Sequence, residues 1–159
     1  MVMTIRSARS GDYDDLCALF EQVDALHRQQ HPELFREPDG PPRPREYLLA
    51  LIADPQAALF VAQVDGQLGG FVSALLRQAP PYPILVPRRF AVVDDLVVRA
   101  DLRRMGLGRA LMAQVERWAR ANGATAVELN VYAFNQGAID FYEALGYQAV
   151  SHKLSKPLK

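Results

Sequence analysis

Arg103-Arg104-Met105-Gly106-Leu107-Gly108 lies between a strand-like apolar run, Phe90–Val98, and a helical stripe that begins at Leu107. A glycine inside a helix costs up to ~1 kcal/mol against alanine, so two at a helix mouth call for a reason. The first turn of a helix carries unpaired N–H groups and the positive end of the dipole, and it favours an anion. Without a Cβ, the backbone can approach that anion closely. Arg103, Arg104 and Arg109 add positive charge. The chemistry implied is the holding of a phosphate or pyrophosphate. The Gly-Lys-Ser/Thr of a Walker loop is missing. Leu111 stands where a dinucleotide fingerprint wants glycine or alanine.

Three further groups could do chemistry. Asp94 and Asp95 are adjacent acids in the apolar run "FAVVDDLVV". Plain alternation puts Val92, Asp94 and Leu96 on one face and Val93, Asp95 and Val97 on the other, unless a bulge shifts the phase. At least one acid then needs a polar partner or a wet cavity. Tyr142 follows Asn135 by seven residues and Ala138 by four, so the three share one helix face. Cys17, flanked by Leu16, Leu19 and Phe20, reads as a small core residue. His27 and His31 are four apart, but Pro32 stops the helix and no carboxylate stands at ligand spacing; no metal site is expected.

The elements that must position these residues follow from periodicity. A strand is expected over 3–8. A helix capped by Ser10 or Asp12 runs to about residue 28, and a short helix covers 45–54. The proline-rich stretch between them reads as a surface loop. Two apolar runs flank Asp65-Gly66, a tight hairpin pair. Strand 90–98, helix 107–122, strand 125–132, helix 135–146 and a last strand 147–154 complete the chain. The order β-α-α-β-β-β-α-β-α-β predicts an α/β chain with a mixed sheet flanked by helices.

A single domain over residues 1–159 accommodates all of this. Lys plus Arg and Asp plus Glu balance at 18 each, so net charge gives no support to nucleic-acid or membrane-surface binding. The first fifteen residues lack the apolar core of a secretion signal. No apolar run approaches the ~18 residues of a membrane span. A soluble cytoplasmic protein is the expectation.

"DDLVVRADLRRMGLGRALM" resembles the acetyl-CoA-binding motif Q/R-x-x-G-x-G/A of the GNAT acetyltransferase superfamily. "NVYAFNQGAIDFYEALGYQ" resembles its second signature, here carried by Asn135, Ala138, Phe141, Tyr142, Gly146 and Tyr147. The resemblance implies a mostly antiparallel sheet and an acetyl-CoA-dependent N-acetyltransferase. It implies that backbone N–H groups from Arg103, Arg104, Met105, Gly106, Leu107, Gly108 and Arg109 hold the pyrophosphate. Leu96 and Val98 would offer backbone groups to the pantetheine arm, and an N–H near Val97 or Val98 would polarise the thioester carbonyl. Asn135 would lie near the arm, and Tyr142 near the sulfur as general acid. An alkyl amine has pKa near 10.4 and needs a base or a water relay. Relatives carry a glutamate aligned with Asp94, which makes Asp94 the candidate base or amine anchor; the shorter side chain favours a water relay. Asp95 could exchange roles with it.

The acceptor side would be built by the early helix pair, the loop between them and the 77–89 connection, with His27, His31, Glu33, Phe35, Arg36, Glu37, Tyr82 and Arg88 available. A small-molecule amine is the expected acceptor. Protein N-termini, or a non-catalytic acyl-CoA sensor, are the alternatives. Relatives of this kind often dimerise, and the last strand is the expected contact of a homodimer.

Overall fold

The computed structural model describes residues 1–158. The described residues form five strands, β1 (Met3–Ser7), β2 (Ala57–Val64), β3 (Gln67–Gln78), β4 (Arg89–Val98) and β5 (Val127–Leu129), and four α-helices, in the order β-α-α-β-β-β-α-β-α. The helices are α1 (Tyr13–Gln30), α2 (Arg45–Ala53), α3 (Leu107–Ala121) and α4 (Gln136–Ala144). The strand order across the sheet is β1-β2-β3-β4-β5. Neighbours are antiparallel except for the parallel pair β4–β5. The architecture is the mixed, mostly antiparallel sheet expected.

Both faces of the sheet are covered, which explains why β2 reads as a nearly unbroken apolar run. Ala58, Phe60, Ala62 and Val64 face Leu107, Leu111, Met112 and Val115 of α3. Leu59 and Val61 face Leu16, Leu19 and Phe20 of α1 and Leu48 of α2. At the β2–β3 turn, Asp65 and Gly66 take φ of 51° and 84°, the paired positive values of the favoured two-residue hairpin turn.

Where β1 passes into α1, the Asp12 carboxylate behaves differently from expectation. Its oxygens accept from both guanidinium nitrogens of Arg6 (2.8 and 2.9 Å) and from the Arg9 N–H at 2.7 Å. No side-chain bond from Asp12, and none from Ser10, caps α1. The carboxylate turns back because a bidentate arginine outweighs a single helix N–H.

Two strands differ from the sequence pattern. β5 spans only Val127–Leu129, shorter than 125–132, because it separates from β4 after pairing Ala91–Val93. The strand expected over 147–154 is absent among the described residues. Gly146, at φ 96°, ends α4. The Tyr147 N–H then bonds back to the Tyr142 carbonyl, and the Tyr147 hydroxyl donates to Glu116 at 2.9 Å. Beyond Tyr147 the described residues join no strand pairing, since alternation makes a segment able to form a strand and a ladder still needs a partner.

Cys17 is half-buried rather than fully in the core. Among the described residues, no helix is long and apolar enough to cross a membrane.

Candidate active site

The site begins with a register slip. Ser73 pairs with Asp95 and the next residue, Ala74, pairs with Val93, so Asp94 is an extra residue bulged out of β4. Before the bulge, Ala91 and Val93 pack toward α3. After it, Leu96 and Val98 pack toward α3, while Val97 joins the α1 and α2 side. One extra residue therefore brings Asp94 and Asp95 to the same face. The plain alternation, which separated them and grouped Leu96 with Asp94, is corrected by the bulge.

Asp95 is tethered, with the Ser73 hydroxyl donating to its Oδ2 at 3.2 Å. Burial pushes the Asp95 carboxyl above the usual range; Arg43 and the Ser73 bond oppose the shift, and Asp94 adds to it. Asp94 is reachable by solvent, yet partial desolvation also raises it, against the pull of Arg77. Both acids act on the Tyr47 hydroxyl, which is raised first by its own burial and then by their charges. Asp24 holds Arg43 through bonds of 3.0 and 3.3 Å. Arg43 also lies 4.3 Å from the ring centre of Phe20, and its carbonyl accepts from the Tyr13 hydroxyl. The proline-rich loop is thus pinned across α1.

The gap beside β4 supplies backbone donors and acceptors. The Arg99 N–H donates to the Gly69 carbonyl at 2.8 Å. Antiparallel alternation from that bond turns the N–H and C=O of Leu96 and Val98 away from β3, toward the side that β5 has left. The same alternation turns the Val97 N–H to β3, leaving Val98 as the donor of the pair. The Val98 carbonyl is engaged by the Gln22 amide at 2.9 Å, and the Ala100 N–H donates to the same side chain at 3.0 Å.

Downstream, Arg104 and Gly106 take φ of 64° and 89°, turning the chain sharply into α3. The glycines serve different ends. Nothing lies within 4 Å of a Cβ built on Gly106, so its role is the left-handed backbone. A Cβ on Gly108 would sit 3.1 Å from the Phe141 ring, so its role is space. Among the described residues, the N–H groups of Leu107, Gly108 and Arg109 have no intrachain acceptor, and Arg103, Arg104 and Arg109 form no ion pair. Free first-turn donors beside uncommitted guanidinium groups fit a pyrophosphate. Gly108→Ala is expected to lower thermal stability by about 1 kcal/mol through overpacking against Phe141 and to weaken acetyl-CoA binding, read by calorimetry. Unchanged affinity would show that this contact is irrelevant to the donor.

Across the gap, α4 starts at Asn135, whose Oδ1 accepts from the Ala138 N–H at 3.1 Å. Its side chain is therefore a helix cap. Tyr142 packs edge-on to Phe141 and Tyr147 at centroid distances of 5.2 and 5.9 Å. Its hydroxyl forms no hydrogen bond among the described residues. Burial, followed by the charge of Asp95, pushes it up to about 12.

The remaining acceptor-side candidates divide. His27, His31 and Phe35 join Tyr132 and Phe134 in one aromatic cluster with centroid distances of 5.1 to 6.1 Å. The cluster ties the end of α1 to the β5–α4 loop. Burial holds His27 below its ordinary value, so the ring is neutral at pH 7. His31 and Glu33 pair with each other at 2.7 Å, and Arg88 pairs with Glu128 at 2.8 Å. Tyr82 is exposed. Sequence reasoning missed Gln22, Ser73 and Tyr47. Only Tyr47 leaves a signal, as an aromatic polar residue in a helix otherwise apolar on its inner side. No group of three or more metal-ligating side chains is present among the described residues.

Residues 20–147 match the acetyltransferase (GNAT) family. The chain is 28% identical over 145 residues to the N-acetyltransferase MJ1207 of Methanocaldococcus jannaschii, covering 91% of this chain and 60% of that protein's length. It is 28% identical over 106 residues to an aminoglycoside N(6')-acetyltransferase type 1 of Klebsiella aerogenes, covering 67% and 68% of the two chains. Among solved structures, a tetramutant of BH1408 from Bacillus halodurans superposes with a TM-score of 0.91 at 28% identity, covering 98% of this chain and 99% of the other.

Proposed function

Because the chain belongs to the acetyltransferase (GNAT) family, a family of acetyl-CoA-dependent acyltransferases, we propose that it transfers the acetyl group of acetyl-CoA to the primary amine of a small molecule by direct attack. The observation that carries this is that the start of α3, with its free first-turn N–H groups, lies against Phe141 and Val98 at Gly108, while the charge of Asp95 reaches the unbonded Tyr142 hydroxyl. In this reading α3's first turn, with Arg103, Arg104 and Arg109, binds the donor's pyrophosphate. Leu96 and Val98 align the pantetheine arm as an added strand would, Asn135 lies beside it, and Val98 N–H polarises the acetyl carbonyl. Asp94 attracts the protonated amine and takes its proton, directly or through water, with Asp95 beside it. Tyr142 faces the departing sulfur.

The class of acceptor follows from charge. Asp24, Asp94 and Asp95 meet two arginines, Arg43, already shared with Asp24, and Arg77, so the acids outnumber the bases and the surroundings of the pair favour a cation. The aminoglycoside acetyltransferase relative acts on a molecule of this kind. The test pairs thermal shift with a thiol-release assay across polyamines, amino acids, aminoglycosides and peptides. Acetyl-CoA is expected to raise the melting temperature, and a small amine to release thiol. Stabilisation by acetyl-CoA with no acceptor would identify a sensor module. Release only with peptides would move the acceptor to protein N-termini. A shift with a nicotinamide dinucleotide instead would sink the reading.

A further inference from the structure

Two consecutive peptide groups at the end of β4 are held from both sides. The Arg99 N–H donates to the Gly69 carbonyl at 2.8 Å, and the Leu102 N–H donates to the Arg99 carbonyl at 2.8 Å. The opposite ends of these two peptide groups are the Val98 carbonyl and the Ala100 N–H. One side chain engages both. The Gln22 Nε2 donates to the Val98 carbonyl at 2.9 Å, and its Oε1 accepts from the Ala100 N–H at 3.0 Å. Among the described residues, no other side chain bonds to the backbone of residues 98–109.

The helix behind this side chain is fixed. Gln22 follows Leu19 by three positions, at the flank of the inward face made by Leu16, Leu19, Phe20 and Val23. Leu16, Leu19 and Phe20 are buried, and Phe20 packs on Phe71 of β3 with ring centres 4.6 Å apart. The carboxamide is thus presented to β4 from a rigid support.

Its geometry copies that of a sheet. A strand offers one residue's carbonyl and the N–H two positions on to the same neighbour. On the edge of β4 that β5 leaves after Val93, the Leu96 carbonyl and Val98 N–H make one such rung, and the Val98 carbonyl and Ala100 N–H make the next. Gln22 gives the second rung one donor and one acceptor, as a neighbouring peptide group would. The first rung has no intrachain partner among the described residues.

We propose that Gln22 is a positioning residue for the donor: its carboxamide fills the last rung of β4's open edge and leaves an amide-bearing arm one place to pair, at Leu96 and Val98. The role rests on the reading above, in which that edge receives the arm of acetyl-CoA. Its value lies in the size of the alternative. An arm shifted by one rung moves two residues along the strand, about 6.6 Å, whereas a misplacement of about 1 Å already slows a positioned reaction strongly. By bonding both peptide groups around Arg99, Gln22 also fixes the joint between the arm-binding edge and the turn into α3.

Calorimetric titration of the full chain with acetyl-CoA tests this. Gln22→Ala is expected to weaken binding roughly tenfold, through the loss of two hydrogen bonds that hold the edge. Gln22→Glu separates positioning from a general loss of stability. It keeps the shape and the acceptor for Ala100, but at neutral pH it sets a carboxylate against the Val98 carbonyl. Once protonated, the acid donates to that carbonyl as the amide does. The facing carbonyl raises such a carboxyl above the ordinary ~4.3 of glutamate. The ratio of the variant's Kd to that of the wild type is therefore expected to fall from roughly tenfold near about pH 8 toward one near about pH 5. Taking the ratio at each pH cancels the titration of Asp94, Asp95 and His27, which both proteins share. Acid would not repair a merely structural defect. A ratio independent of pH, or wild-type affinity in Gln22→Ala, would overturn the role of Gln22 and leave acetyl-CoA as the donor. A wild type that does not bind acetyl-CoA would remove both the role and the reading beneath it.

Discussion

Replacing Tyr142 by phenylalanine is expected to lower kcat by roughly 10- to 100-fold and to leave acetyl-CoA affinity nearly unchanged, corresponding to a charge-assisted hydrogen bond of about 1.5–3 kcal/mol. The magnitude follows from two acidities. A departing CoA-like thiolate has a conjugate acid near 8.5, judging from cysteine. The Tyr142 hydroxyl is pushed up to about 12 by burial and by Asp95. Full proton transfer from the weaker acid to the weaker base is uphill, so on the proposed reading the expected role of the hydroxyl is to donate a hydrogen bond to the developing charge, with solvent completing the protonation. General-acid catalysis in the strict sense is thereby reduced to charge stabilisation. Stopped-flow turnover with calorimetric donor affinity separates the two quantities. An unchanged kcat would remove Tyr142 from the chemistry, and a loss confined to affinity would make it a packing residue of the donor site.

The second large effect concerns the carboxyl pair, and its two consequences have opposite signs. Asp94→Asn combined with Asp95→Asn is expected to lower kcat/KM by roughly 10²- to 10⁴-fold, the usual weight of proton transfer by a positioned group. In the wild type both carboxyls sit above their ordinary range. They are protonated, and unable to accept, as pH falls through those raised values, so kcat/KM falls on the acidic side. That acidic limb is expected to vanish in the double variant, leaving only the slow rise from deprotonation of the free amine. Stability moves the other way. A carboxyl raised in the folded state holds its proton where the unfolded chain has lost it. Its contribution to stability is therefore present below the ordinary carboxylate range and is lost as pH rises through the raised value. Above its raised value the buried Asp95 charge is a burden, and there Asp95→Asn alone is expected to raise the melting temperature while slowing the reaction. An unchanged or lower melting temperature would show that Ser73 and Arg43 already offset the burial of that charge.

The parts of this molecule readable from residues alone are those set by local spacing. Gly106 and Gly108 announce a backbone that must turn and approach something, and Asp65-Gly66 announces a hairpin. The face of α3 is given by Leu107, Leu111 and Val115. What could not be read depends on contacts between distant residues. Alternation in β4 carries no marker of where its phase slips, so the shared face of Asp94 and Asp95 emerges only from the pairing with β3. Gln22 reaches Val98 across 76 residues of chain, and Ser73 reaches Asp95 across 22. Asp12 is an acceptable helix cap by type; Arg6, on the preceding strand, captures it first. The segment after Tyr147 alternates as a strand should, yet among the described residues it pairs with no strand.

The meeting of Gly108 with Phe141 has a consequence for length. A methyl group at Gly108 would lie 3.1 Å from the Phe141 ring, so the ring would have to give way by a few tenths of an ångström. The turn expected to grip one end of the donor and the helix bearing Tyr142 at its other end are thus in direct contact, 33 positions apart in the chain. Their separation is set like the jaws of a caliper closed on a fixed stop. A donor whose arm is one or two bonds longer or shorter than pantetheine could seat its phosphates or present its thioester to Tyr142, but not both at once. On the proposed reading, this contact sets the length of donor that fits before any side chain reads the donor's chemistry.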